Sequence, residues 1–273
     1  MIYIVTALIL FLVAFLLFFN FQFKILHSPK NKLRILEYHS ISTDGFEDQI
    51  TISKEKIIEH FEYLKNNNYK TLCLSDIDEL RENKRDLPPK SVVLTFDDGF
   101  LDNYTVLFPL LKHYNFKCVC FVVLGRIGQK ADWNGKFVND NMVMMSKQQL
   151  LEVQSHIELG YHTFKHDNYA GLSLDEIEKD LQLCQETIKK EDLNVFPALA
   201  YTYGGYYRKK GEKQRLFFEL LKKYGIKYGL RIGNRINIFP FKNIYEVQRI
   251  DIRGTDSMDD FKKKVVFGRK KMF

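Results

Sequence analysis

With 273 residues, the chain is long enough for one sizeable α/β domain and an appendage. Its formal charge of +7 comes from 41 basic against 34 acidic residues. The excess gathers in Lys24–Arg34 and near the C-terminus, with no interleaved aromatic module, which argues against nucleic acid and for a solvated tail or an anionic membrane surface.

Residues 1–23 contain no charged side chain. At ~1.5 Å per residue such a helix crosses the ~30 Å hydrocarbon core, and no small-x-small cleavage site comes after it. It reads as an uncleaved transmembrane anchor, with 24–32 as a juxtamembrane linker. The lysines just after the span would, by the positive-inside rule, keep the remainder of the chain in the cytoplasm. The four cysteines form no Cys-x-x-Cys pair and read as buried free thiols, which leans the same way.

Leu33–His39 reads as the first strand of the domain, followed by a polar link at 42–45. Ser53 caps a helix with Ile57, Ile58, Phe61 and Leu64 on one face. Tyr69–Leu74 reads as a second strand ending at Cys73, and Ser75 as the cap of a brief helix, Asp76–Leu80. After a charged loop, the apolar run Ser91–Leu94 reads as a buried parallel strand leading into Thr95-Phe96-Asp97-Asp98-Gly99. A helix over Asn103–Tyr114 and a strand over Phe116–Leu124 come next. The stretch Gly125–Met145 lacks periodicity, holds the single tryptophan, Trp133, and is expected to line a substrate groove. Ser146 and Ser173 each start a helix with capping-box spacing, the first ahead of a histidine-bearing strand. Phe196–Tyr203 is the next strand and Lys209–Tyr224 the next helix. Ile226–Leu230 and Tyr245–Ile252 complete the strands, and 258–273 reads as a basic tail.

Strand and helix alternate six or seven times, implying parallel βα units with right-handed crossovers. The pattern leaves an open sheet or a barrel. In both, active sites gather at the C-terminal strand ends. There Asp97 and Asp98 can reach one pocket, one as metal ligand and one as base; a solvated turn is the plainer reading. His162 and His166 stand four apart beyond a short strand. Imidazole with carboxylate suits zinc or a similar dication with an open coordination position.

Phe96-Asp97-Asp98-Gly99, followed by Glu158-Leu159-Gly160-Tyr161-His162-Thr163-Phe164-Lys165-His166, resembles the first two motifs of the polysaccharide deacetylases, carbohydrate esterase family four. The resemblance covers roughly Leu33 to Ile252. It implies a distorted (β/α) barrel with about seven parallel strands, preceded by the transmembrane helix, with the catalytic domain over 33–257. It also implies one divalent metal ion, zinc first and cobalt or nickel as alternatives, held by Asp98, His162 and His166, with Asp97 as the base.

The family's third motif, Arg-Pro-Pro-Tyr-Gly, stands here as Ala200-Tyr201-Thr202-Tyr203-Gly204. That form is closer to the Ala-Tyr-Pro-Tyr-Gly of the biofilm poly-β-1,6-N-acetylglucosamine deacetylases, with Thr202 in place of proline. By this resemblance the Tyr203 backbone N–H joins an oxyanion hole, while packing is the plainer role for one of the two tyrosines. No histidine occurs after His166, so the family's Leu-x-His acid is missing. Leu36-Glu37-Tyr38-His39-Ser40-Ile41 resembles the Tyr-His strand of the biofilm subgroup, which puts His39 in the acid's place. Arg249 is set to replace the missing motif arginine and orient Asp97, against the plainer reading of a surface arginine.

The implied substrate is an N-acetylated cell-surface polysaccharide, poly-β-1,6-N-acetylglucosamine first, met outside the membrane. Alternatives are a peptidoglycan or chitin N-deacetylase, an O-acetyl-xylan esterase, and an inactive glycan-binding relative. His60, His113 and His156 read as helix residues and His27 as juxtamembrane.

Overall fold

A computed structural model describes residues 2–23, 31–133 and 142–269. Its strands are β1 (Lys32–Tyr38), β2 (Ser40–Ser42), β3 (Thr51–Ser53), β4 (Lys70–Thr71), β5 (Ser91–Asp98), β6 (Cys118–Val122), β7 (Ile157–Tyr161), β8 (Val195–Ala200), β9 (Tyr228–Ile232), β10 (Asn237–Ile238) and β11 (Val247–Asp251). The helices are α1 (Ile2–Phe23), α2 (Lys54–Asn66), α3 (Leu74–Glu82), α4 (Phe108–Tyr114), α5 (Lys147–Val153), α6 (Leu174–Glu191), α7 (Glu212–Lys223) and α8 (Met258–Phe267).

Seven strands close a parallel ring in the order β1, β5, β6, β7, β8, β9, β11 and back to β1. The ring resolves the choice between open sheet and barrel. Strand β4 lies on β5, and β10 runs antiparallel beside β1. The joint between β1 and β11 is short, with Leu36 opposite Ile250 and Glu37 opposite Asp251.

Period-2 alternation divides the strand side chains into two cores. Leu33, Ile35, Val93, Val119, Phe121, Ala198, Leu230 and Val247 form one cluster, filling the barrel. Their neighbours Leu36, Leu94, Cys118, Cys120, Leu159 and Leu199 pack outward with helix residues such as Ile57, Phe61, Leu150, Ile177 and Phe217. The same parity carries Glu37, Thr95, Asp97 and Arg249 to the interior face at the C-terminal mouth. All four cysteines are free and buried.

Ser53, Ser146 and Ser173 accept from the backbone N–H three residues on, as their spacing predicts. Elsewhere the elements differ from expectation. Cys73 is not a strand end but the residue before α3, which starts at Leu74 rather than Asp76. The Glu158 carboxylate, brought from β7, accepts from the N–H groups of Leu74 and Ser75, a tertiary cap that no local pattern shows. Residues 258–267 are not a solvated tail. They form α8, capped by Ser257 and Asp260, with Phe261 and Val265 fully buried. The run of lysines hides its apolar stripe.

The N-terminal α1 is 22 residues long with no charged residue, about 33 Å at ~1.5 Å per residue. Its side chains are described only between positions 3 and 18. Among the described residues no helix is long and apolar enough to cross a membrane, so the expected span over 1–23 is not supported as such and falls partly outside them. Most of the linker 24–32 and positions 270–273 also lie outside the described residues.

Candidate active site

The strand β5 ends on two carboxylates, and the backbone explains how both reach one cavity. Asp97 keeps the strand's inward direction. Asp98 has φ 72°, a left-handed conformation that swings its side chain back to the same side instead of outward. Non-glycine residues adopt it at a cost of order 1–3 kcal/mol, and such residues gather at functional sites. His166, with φ 65°, and Tyr203, with φ 54°, share this feature.

Asp98, His162 and His166 converge, with ligand atoms within 4.8 Å of one another. The Asp98 Oδ1 atom lies 3.4 Å from His162 Nε2 and 3.2 Å from His166 Nε2. All three residues are buried, and Asp98 Oδ1 has no hydrogen-bond partner. A buried carboxylate oxygen without a donor is costly unless a cation meets it. His162 Nδ1 sits 2.9 Å from the Ala200 carbonyl, which fixes the proton there and leaves Nε2 as a lone pair facing Asp98. Burial pushes the His162 pKa down to about 4 despite the carboxylates of Asp97 and Asp98, so the ring is neutral, as a ligand must be. The donor set of one carboxylate and two imidazoles fits a dication such as zinc.

Arg249 is no surface arginine. It is 1% exposed and grips Asp97 with both ends of its fork, Nη1 to Oδ1 at 2.6 Å and Nη2 to Oδ2 at 2.8 Å. Burial disfavours ionisation of Asp97, but the charge and hydrogen bonds of Arg249 overcome it and hold the carboxyl well below the usual range. On its other side Arg249 Nε lies 3.2 Å from Glu37 Oε2. Burial pushes the Glu37 carboxyl up to about 7 against the pull of Arg249.

His39, immediately after β1, points into the same cavity. Its Nε2 lies 3.9 Å from Asp97 Oδ2, and His162 Nε2 lies 3.8 Å from that same oxygen. Burial opposes a charged His39 imidazole, yet Asp97, Asp98 and Glu37 together raise its pKa. Glu37, His39 and Asp97 also cluster closely enough to suggest ligands. The Arg249 guanidinium already neutralises that group, which disfavours a second cation there.

The cavity has a volume of about 420 Å³. Gln49, Ile50, Trp133, Tyr201, Tyr203, Gly204, Ile232, Asp251 and Arg253 also line it. Trp133 stacks on His166 at 4.5 Å and 25°, so the long unpatterned loop does reach the cavity, although 134–141 lie outside the described residues. Strand β8 stops at Ala200, and Tyr203 sits beyond it in a 3-10 turn, Thr202–Gly204. The Tyr203 side chain is exposed and its hydroxyl is 3.1 Å from His166 Nδ1. Tyr201 is the buried packing residue, donating to the Tyr245 carbonyl.

The candidate site residues His39, Asp97, Asp98, His162, His166, Tyr203 and Arg249 therefore line one cavity at a mouth of the barrel. Glu37 was missed, although a carboxylate inside the apolar run Leu33–Tyr38 signals a buried partner.

A family model described as polysaccharide deacetylase matches residues 84–229. Among curated proteins, the chain is 31% identical over 143 residues to YxkH of Bacillus subtilis (strain 168), a protein named after the same family. It is 29% identical over 142 residues to poly-β-1,6-N-acetyl-D-glucosamine N-deacetylase of Escherichia coli (strain K12). The matched stretches cover 52% and 50% of this chain but only 46% and 21% of those relatives. The like-named Staphylococcus aureus (strain MRSA252) enzyme is 26% identical over 79% of this chain and 68% of its own length. Among solved structures, a de-N-acetylase from Aggregatibacter actinomycetemcomitans aligns with TM-score 0.69 at 22% identity, over 85% of this chain and 99% of that one. IcaB from Ammonifex degensii aligns with TM-score 0.68 at 22% identity, over 87% and 97%. These likenesses bear on the fold.

Proposed function

The chain belongs to the polysaccharide deacetylase family, and from that premise we propose that it is a metal-dependent N-deacetylase of an extracellular polysaccharide built from β-1,6-linked N-acetylglucosamine. The observation that carries this reading is the placement of Asp97. Arg249 clamps both of its oxygens, it adjoins the Asp98, His162 and His166 cluster, and it faces His39 at 3.9 Å. A binding protein has no use for a base held ionised beside a ligand triad.

Asp98, His162 and His166 would hold the metal. When bound there, a dication supplies an acidified water and polarises the acetyl carbonyl, lowering water's pKa from ~15.7 towards ~7. Asp97 takes the proton of the attacking water, and its ionised state is maintained by Arg249, itself balanced by Glu37. As the carbonyl becomes tetrahedral, the Tyr203 N–H is the protein donor proposed for the new oxyanion. His39 then delivers a proton to the sugar nitrogen as the C–N bond breaks, releasing acetate and a free amine. Trp133 and Tyr203 offer apolar faces for a sugar ring at the rim.

The names of the Escherichia coli and Staphylococcus aureus relatives support the choice of glycan. Acetate release from oligomers of β-1,6-linked N-acetylglucosamine, chitin and acetylxylan, with metal content measured on the same sample, tests the reading. Turnover confined to the first glycan in metal-bearing protein is expected. Activity that survives complete metal removal, or no acetate from any glycan, overturns it.

We also place the domain outside the cytoplasmic membrane, where the proposed polysaccharide lies. Support comes from the glycan named for the Escherichia coli and Staphylococcus aureus relatives. Protease added to intact cells is expected to remove the domain, whereas full protection refutes this orientation.

A further inference from the structure

We infer that Asp102 and Asn103, which do not line the cavity, fix the proton-donating position of His39 and are thereby positioning residues for C–N cleavage. The inference rests on the deacetylase reading of the site. His39 falls in the gap between the end of β1 at Tyr38 and the start of β2 at Ser40. Its ring lies 3.9 Å from Asp97, too far for a hydrogen bond, so the ring's position is inherited from the backbone that carries it.

That backbone is held from outside the cavity by the loop after Gly99. Asn103 Nδ2 donates to the His39 carbonyl at 3.0 Å and to Asp102 Oδ1 at 2.6 Å. The other Asp102 oxygen, Oδ2, accepts from the Ser40 hydroxyl at 2.7 Å. Asn103 is fully buried, and its Oδ1 lies 3.7 Å from the Cys120 thiol, which sets the amide's orientation with nitrogen towards His39. Asn103 also begins a π-turn, Asn103–Leu107, ahead of α4, the kind of one-residue bulge that re-aims side chains near functional sites. The end of β5 thus carries Asp97 and Asp98, and the five residues that follow, Gly99 to Asn103, carry the restraint on His39, so base and acid are registered against each other through a short length of chain.

The test exploits the leaving group. An acetamide needs a proton on nitrogen to depart, whereas 4-nitrophenolate leaves unaided. Asn103→Leu and Asp102→Asn are compared with the unaltered protein on a β-1,6-linked N-acetylglucosamine oligomer and on 4-nitrophenyl acetate. Since a misplacement near 1 Å costs about 10²-fold, kcat on the oligomer is expected to fall between tenfold and that limit. KM and the ester rate should stay within about threefold of the unaltered protein. A parallel fall on both substrates, or no fall on either, overturns the inference. A crystal structure of each variant provides the second readout: His39 displaced from Asp97 sustains the inference, and an unmoved imidazole overturns it. If the unaltered protein releases no acetate from the oligomer, the deacetylase reading fails by itself, and the position of His39 in the variants still decides.

Discussion

At the scale of single residues, the site is an arrangement of charges that only makes sense in combination. Replacing Asp97 with Asn keeps the shape and the bond from Arg249 but removes the base. Activity on the glycan is expected to fall about 10²–10⁴-fold, with zinc stoichiometry unchanged when metal is assayed on the purified variant. Arg249→Met leaves Glu37 and Asp97 buried without their shared counter-charge, and loss of one partner from a buried pair costs about 3–5 kcal/mol. The urea midpoint should drop accordingly. Arg249→Lys should not restore it, because a point charge cannot replace the two-pronged contact. His60 gives a pH dependence away from the site. Burial drives its pKa down to about 3, helped by Lys56 on α2 and Lys264 on α8 and opposed by Asp256. The ring stacks on Phe261 at 3.6 Å and meets the Tyr38 hydroxyl at 3.2 Å. Unfolded chains take up this proton below pH ~6.5 while the folded protein stays neutral, so the unfolded state binds more protons and stability falls as pH drops from there. In urea titrations from pH 7 to pH 4, His60→Gln should show a shallower decline than the unaltered protein, by up to about 1.4 kcal/mol per pH unit.

At the scale of elements, sequence pattern works where a segment's partners are local and fails where they are distant. The caps at Ser53, Ser146 and Ser173 are legible because donor and acceptor lie three residues apart. The start of α3 is not, since the N–H groups of Leu74 and Ser75 donate to Glu158 from β7. The two-carboxylate end of β5 is legible as chemistry, but the φ of 72° at Asp98 that makes both side chains converge is not. Arg249 reads as a surface residue only while the ring that buries it is unknown. The clearest omission is α8, where the run Lys262-Lys263-Lys264 conceals Met258, Phe261 and Val265. Phe261 is fully buried and supports His60. Its replacement by alanine should cost about 3–5 kcal/mol, seen as a lower urea midpoint. A solvated tail would show no change.

At the scale of the whole molecule, the closed ring gathers the ends of several strands into one mouth and keeps the opposite end for packing. His39 and Glu37 come from the first strand, Asp97 and Asp98 from β5, His162 and His166 from beyond β7, and Arg249 from the last. A metal held by residues from two of these separate segments would bind the folded form only. Chelation of purified protein should therefore abolish turnover and also lower Tm. With free zinc at 100 times Kd, the recovered stability is expected to be about 2.7 kcal/mol. A change in activity with no change in Tm would show that the ion does not bridge these elements.

The joint between β1 and β11 has a temporal meaning. Leu36 must wait for Ile250, so a ribosome has to deliver nearly the entire domain before the guanidinium arrives between Glu37 and Asp97. On the proposed mechanism, a truncated product that stops short of β11 lacks the arginine that keeps Asp97 ionised and is expected to release no acetate.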